Sequence, residues 1–236
     1  MTLKDGGVPP LHQLLPFAVT VGACFVWYVP VEEPSVAGMV LKCLPIVCLL
    51  VFLATTEQGQ GESAKVQAAL CFSLVGDAFL VWPENYFLGG IVFFGVAQGL
   101  YVFSFGWKGV SWVLGVALHG LNLLVLSVML PTMPTLYLKV AIAIYSFTIT
   151  SMFWRALDRS RFRKDLPGAR RLCTALGAAT FCVSDLCIVV LQLGRLLPHL
   201  YAQLIILSTY YLAQLLIVLG SAESFWASAA PLGKVK

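Results

Sequence analysis

Charge is scarce in this sequence. Asp, Glu, Lys and Arg make up 11% of its 236 residues, where soluble domains carry about 25%. Histidine is scarcer still: His12, His119 and His199 are the whole supply. His12 and His199 flank apolar runs, which leaves His119 alone among them, too little for the three or four convergent ligands of a zinc site. No metal or other cofactor is expected. There is no GxSxG sequence, and a Ser–His–Asp triad would have to use His119 with no serine marked out for it. There is no N-x-S/T sequon and no CxxC pair. The seven cysteines (24, 43, 48, 71, 173, 182 and 187) lie in or at the edges of apolar runs. That pattern indicates neither a disulfide framework nor a thiolate metal site. They read as small buried hydrophobes.

What the chain has is apolar length. It is 59% hydrophobic, with a mean hydropathy of +0.88, and its apolar runs extend from near Leu14 to Gly220. No part is left for a sizeable soluble domain. A helix needs roughly 20 apolar residues to cross the hydrocarbon core. On that scale the sequence predicts an all-α membrane protein, a bundle of eight transmembrane helices. The spans fall near 14–30, 36–54, 65–82, 87–106, 110–130, 136–155, 172–193 and 200–220. The first reads as an uncleaved signal-anchor, because "FVWYVPVEEP" is a poor small-residue cleavage site. Most links are short and carry turn residues; the longest is the basic stretch "RALDRSRFRKDLPGARR".

Eight spans put both termini on one side, and lysine and arginine decide which. The terminus side would hold Lys4, Lys65, Lys108, Arg155, Arg159, Arg161, Arg163, Lys164, Arg170, Arg171, Lys234 and Lys236; the other would hold Lys42, Lys139 and Arg195. Both termini are therefore expected in the cytoplasm. Residues 1–13 then form a cytoplasmic segment, 14–220 the membrane domain with a basic cytoplasmic loop at 156–171, and 221–236 a cytoplasmic tail. The basic loop reads as a topology signal with some attraction to lipid headgroups, not as a nucleic-acid site.

Two apolar runs contain a carboxylate: Asp77 in "AALCFSLVGDAFLVWPENYF" and Asp185 in "GAATFCVSDLCIVVLQL". Counting from Lys65 and Arg171 at 1.5 Å per residue, both lie about 18–21 Å from the cytoplasmic edge. Asn122 and Lys42 fall in the same layer. Span eight adds Gln203, Tyr210 and Gln214 at helical spacing with Tyr211 adjacent, and span four adds Gln98 and Tyr101 one turn apart. Each ionisable group costs about 2.5–3.5 kcal/mol at the helix centre on insertion scales. Asp77, Asp185 and Lys42 are therefore expected to face one interior cavity, where Lys42 can pair with a carboxylate. A structural ion pair that fixes helix packing explains the same residues more modestly. Gln98, Asn122 and His119 taken singly read more readily as interhelical hydrogen bonding.

Two buried carboxyls without a metal set suggest acid–base work. Intramembrane aspartyl proteolysis uses GxGD, but here the residues are Leu74, Val75, Gly76 and Asp77, and no PAL sequence follows Asp185. A carboxyl pair can also protonate one atom and stabilise a cation at its neighbour, as glycosidases do. A vinyl ether needs that help: protonation of the carbon β to oxygen gives an oxocarbenium ion, and water then releases an aldehyde and an alcohol. Two other classes stay open. A proton- or ion-coupled transporter would place Asp and Lys on its pathway, though no internal repeat is evident. A non-catalytic lysolipid-binding protein would hold the lipid without turning it over.

The stretches "KCLPIVCL" (42–49), "GDAFLVW" (76–82), "LYVFSFG" (100–106), "FWRA" (153–156), "SD" (184–185) and "STYYLAQLLIVLGSAES" (208–224) run in order along nearly the whole chain. In these the sequence resembles the lysoplasmalogenase family, the YhhN-like polytopic membrane proteins. One departure is Gln98, where vertebrate relatives often carry histidine. The resemblance implies hydrolysis of the vinyl-ether bond of lysoplasmalogens to a fatty aldehyde and glycerophosphocholine or glycerophosphoethanolamine, in an endoplasmic-reticulum membrane. Asp77 and Asp185 are the expected catalytic pair. Lys42, Asn122, Tyr210, Tyr211, Gln214 and Gln98 are the expected substrate-binding residues. The conditional assignment is that if Lys42 lies nearer Asp77, Asp77 is the anion and Asp185 the acid. "FLGGIVFFG" is a candidate wall for the lipid tail. The expected partners are the lysolipid and membrane lipid, and a homodimer stays open.

Overall fold

The computed structural model describes residues 11–57, 59, 61–193 and 196–229. Lys4, Arg195, Lys234 and Lys236, used above to argue orientation, lie outside the described residues. Within them are nine α-helices and no strands. They are α1 (Leu15–Trp27), α2 (Val36–Thr56), α3 (Gly61–Phe79), α4 (Pro83–Phe105), α5 (Trp112–Met129), α6 (Leu136–Phe162), α7 (Gly168–Cys187), α8 (His199–Ser221) and a short α9 (Glu223–Ala229). Each of the eight expected spans corresponds to one of α1–α8. The helices α2, α4, α5, α6, α7 and α8 are long and apolar enough to cross a membrane. The helix α1 is shorter, and α3 carries Glu62, Lys65 and Asp77.

Local sequence sets the helix ends. Ser35 caps α2 by accepting from the Gly38 amide at 3.0 Å, which satisfies one orphan donor of the first turn. Pro83 opens α4, where its missing N–H costs nothing. Pro45 sits inside α2 and removes one backbone hydrogen bond, less than a turn after Lys42. The chain continues from α7 into a π-helical segment, Ile188–Leu193, which begins three residues after Asp185. Such segments occur frequently at functional sites.

The packing is a closed ring of six helices. In order, α2, α3, α4, α6, α7 and α8 each pack on the next, and α8 returns to α2. Outside this ring α1 packs on α2 and α5 packs on α6. Glycines allow the closest approaches. A Cβ at Gly177 would stand 2.9 Å from the Ile217 backbone nitrogen, and one at Gly76 would stand 2.7 Å from the Phe94 ring. Small residues at these points bring α7 onto α8 and α3 onto α4.

The basic stretch differs from expectation. Instead of a loop from residue 156, α6 continues to Phe162, and Arg155, Asp158, Arg159 and Arg170 are buried. Arg155 bonds Asp158 Oδ2 at 2.6 Å and donates to the Gly106 carbonyl at 2.8 Å. Arg159 bonds Glu62 Oε1 at 2.6 Å. Arg170 donates to the Gly220 carbonyl at 3.1 Å and lies 3.7 Å from Glu62 Oε2. These arginines tie the ends of α4, α6 and α8 to the starts of α3 and α7. Carboxylates and free helix-end carbonyls partner all three, although Arg159 uses only Nη2, its Nε and Nη1 having no hydrogen-bond partner among the described residues.

Candidate active site

At the opposite end of the ring is a cavity of about 260 Å³. Its walls come from the C-terminal halves of α3, α5 and α7 and the N-terminal halves of α2, α4, α6 and α8. Its polar lining is Lys42, Asp77, Asn122, Tyr145, Ser146, Ser184, Asp185 and Tyr210; the rest is mainly aliphatic and aromatic. The expected convergence of Asp77, Asp185 and Lys42 on one cavity is thus what the fold produces, with Asn122 and Tyr210 beside them. Phe87, Ile91 and Phe94 of the "FLGGIVFFG" stretch line it too.

Asp77 is 2% exposed and fully engaged. Tyr210 donates to its Oδ2 at 2.6 Å, and Lys42 Nζ lies 3.6 Å from Oδ1. Lys42 also donates to the Asp77 carbonyl at 3.3 Å, so one ammonium holds both the side chain and the main chain of this residue. Behind Tyr210 the chain of donors runs one way. Tyr101 donates to Gln214 Oε1 at 2.6 Å, and Gln214 Nε2 donates to the Tyr210 hydroxyl at 3.2 Å. A relay that ends on Asp77 with every proton pointing toward it suits a carboxylate, which only accepts. Phe94 and Phe181 meet the Tyr210 ring edge-on, at centroid distances of 5.8 and 5.6 Å, and so hold its hydroxyl in place.

Asp185 is half-buried and has a different neighbourhood. Tyr145 on α6 donates to its Oδ2. No cation pairs with it among the described residues, and its Oδ1 has no protein donor there. The preceding residue, Ser184, donates to the Ile206 carbonyl at 3.0 Å, which fixes α7 against α8 beside the carboxyl. Asn122 donates to Ser146 Oγ at 3.3 Å on the α5–α6 wall. The two carboxyls share the cavity, yet each is bonded to its own phenol and not to the other.

Three expected substrate contacts do not line this cavity. Tyr211 donates to the Lys42 carbonyl at 2.8 Å and faces Cys24. Gln214 lies behind Tyr210 in the relay. Gln98 is fully buried on α4 beside the Tyr145 hydroxyl. They sit one layer behind the wall. His119 is bonded to the Gly115 carbonyl and to Ser151 Oγ, an interhelical role. Tyr145 and Ser146 were not anticipated, although their place in the middle of span six put them at the depth of the aspartates. A second, polar cavity of about 210 Å³ includes Tyr28, Glu32, Glu33, Trp82, Glu84 and His199, and Leu80 lines both cavities.

The chain is similar along most of its length to curated proteins named lysoplasmalogenase. TMEM86B of Sus scrofa is 38% identical over 217 residues, covering 89% of this chain and 87% of the relative. TMEM86A of Homo sapiens is 32% identical over 221 residues, covering 90% and 89%. TMEM86B of Homo sapiens is 33% identical over 219 residues, covering 89% and 87%. No solved structure matches. The model of the YhhN family matches residues 37–221, a stretch that contains both aspartates, Lys42 and every residue of the Tyr101–Gln214–Tyr210 relay. This chain belongs to the YhhN family.

Proposed function

We propose that this protein is a membrane-embedded lysoplasmalogenase, which hydrolyses the vinyl-ether bond of a lysoplasmalogen to a fatty aldehyde and the glycerophospho-base. The relatives named above support the reaction. The single observation that carries the chemistry is the asymmetry of the two carboxyls on one apolar cavity: Asp77 held by Lys42 and a donor relay, Asp185 with one oxygen unpartnered among the described residues.

That asymmetry supports a division of roles. Asp185, with no paired cation among the described residues, is the acid that gives its proton to the vinyl carbon β to the ether oxygen. The neighbouring carbon becomes an oxocarbenium centre, and the Asp77 carboxylate stabilises it. Water adds there and returns a proton to the carboxyl pair. Collapse of the hemiacetal moves its hydroxyl proton to the departing glycerol oxygen, so atoms and charge balance. Asn122 and Ser146 are placed to orient the water, while the apolar wall takes the start of the alkenyl chain. Val125 on α5 and Leu186 on α7 line the cavity and are exposed, which supports entry of the tail sideways from the lipid.

In this reading α1 and α3 complete eight spans, with the arginine-rich end in the cytoplasm and the cavity in the other half of an endoplasmic-reticulum membrane. The up-and-down order of helix ends around the buried arginines supports that arrangement. The test uses purified protein in detergent, a lysoplasmenylcholine and its saturated-ether analogue, with products read by mass spectrometry. Aldehyde should appear from the vinyl ether alone, and Asp77→Asn and Asp185→Asn should each abolish it without loss of folded protein. Near-normal turnover by either variant removes the carboxyl pair from the mechanism. Binding without product would leave a lysolipid-binding protein, and flux through liposomes without product a transporter.

A further inference from the structure

Tyr145 has no assigned part in the chemistry, yet its hydroxyl is the protein donor to Asp185 among the described residues. It comes from α6, a different helix from the acid's own, and the buried Gln98 amide of α4 stands beside it. Resting on the reading of Asp185 as the acid, we infer that Tyr145 is a positioning residue: it fixes which oxygen of Asp185 carries the reacting proton.

A neutral carboxyl has one carbonyl oxygen and one hydroxyl oxygen, and only the hydroxyl oxygen can give up a proton. A phenol donates to the carbonyl oxygen, which is the better acceptor. Tyr145 donates to Oδ2, so Oδ2 is the carbonyl and the proton resides on Oδ1. Oδ1 is the oxygen without a protein partner among the described residues, on a side chain that lines the cavity. Without Tyr145 the proton could sit on either oxygen, and the carboxyl could turn about its Cβ–Cγ bond. After proton transfer the same phenol bonds the new carboxylate, so the donor is useful in both states. The two carboxyls are backed differently. Asp77 is bonded by Tyr210, which Gln214 bonds in turn, and it is paired with Lys42. Asp185 is bonded by Tyr145, and the buried Gln98 amide near that phenol has no hydrogen-bond partner among the described residues.

The test combines kinetics with infrared spectroscopy of the whole protein in detergent. The carbonyl stretch of neutral Asp185 is identified as the band lost in Asp185→Asn. In Tyr145→Phe that band should move to higher frequency, because its hydrogen bond is gone. Turnover should fall by about 10²-fold, the scale of a mispositioned reacting group, with KM nearly unchanged. Should Tyr145→Phe fail to fold, 3-fluorotyrosine at position 145 keeps the side chain and makes it a stronger donor, so the band should move to lower frequency. A band that stays in place in the variants that fold, or wild-type turnover in Tyr145→Phe, overturns the positioning role. Turnover by Asp185→Asn overturns instead the assignment of Asp185 as the acid, so the two failures are told apart.

Discussion

The Tyr210 hydroxyl donates to Asp77 Oδ2 across 2.6 Å, joining α8 to α3 at the cavity wall. Tyr210→Phe keeps the ring between Phe94 and Phe181 and removes this bond together with the one that the hydroxyl accepts from Gln214 Nε2. A hydrogen bond to a charged group is worth about 1.5–3 kcal/mol. Turnover should therefore fall by about 10- to 100-fold, and the buried partners left short of a bond should lower the melting temperature as well. Wild-type turnover would mean that the relay behind Asp77 has no part in the reaction.

Lys42→Met removes the cation beside Asp77 and leaves a buried carboxylate with the Tyr210 hydroxyl but no countercharge. Breaking a buried pair in this way costs about 3–5 kcal/mol. The variant should be inactive and melt well below wild type. Lys42→Met combined with Asp77→Asn should recover much of the stability and none of the turnover. Equal melting temperatures for the single and double variants would show that the pair is not coupled.

At the far end of the bundle Asp158 is fully buried, bonded to Arg155 and to the Ser111 amide at 3.2 Å. Asp158→Asn removes the countercharge of the Arg155 guanidinium, which keeps its bonds to the Gly106 and Gly109 carbonyls, and should cost up to about 3–5 kcal/mol of stability. Turnover per folded molecule should not change, because the cavity is at the other end of the helices. A selective loss of turnover would place this network in the mechanism.

Asp165, in the link between α6 and α7, has its pKa lowered to about 2 by its hydrogen bonds to Arg163. A group whose folded value is depressed stabilises the fold above the unfolded value and loses that contribution as pH falls toward the folded one. The pair is exposed and screened by salt. Asp165→Asn should remove a small loss of stability between the ordinary carboxylate value of 3.8 and about 2, and leave neutral-pH turnover alone. Altered turnover at neutral pH would tie this loop to the site.

Much of the site was readable because a spanning helix is a ruler. At 1.5 Å per residue, Asp77, Asp185, Asn122 and Lys42 could be put in one layer before any fold was known, and the cost of charge in lipid pointed them inward. Depth does not say which residue stands in front of which. Tyr210, Tyr211 and Gln214 share a helix, but only the packing of α8 against α2 and α3 decides that Tyr210 reaches the cavity while its neighbours back it. Tyr145 went unseen because a tyrosine among "AIAIYSFTIT" is unremarkable until α6 is known to face α7. The burial of Arg155, Arg159 and Arg170 was not readable because their partners Gly106, Glu62 and Gly220 lie roughly 50–100 residues away in the chain.

The most direct measurement is the mass of the aldehyde released when the wild-type protein hydrolyses a lysoplasmenylcholine in D2O, with prompt quenching. Proton delivery to the vinyl carbon predicts one non-exchanged deuterium on the carbon next to the carbonyl in every molecule formed, and no aldehyde above blank from Asp185→Asn. Aldehyde without that deuterium would mean that the bond is cleaved with no proton delivered to carbon, and would contradict the account.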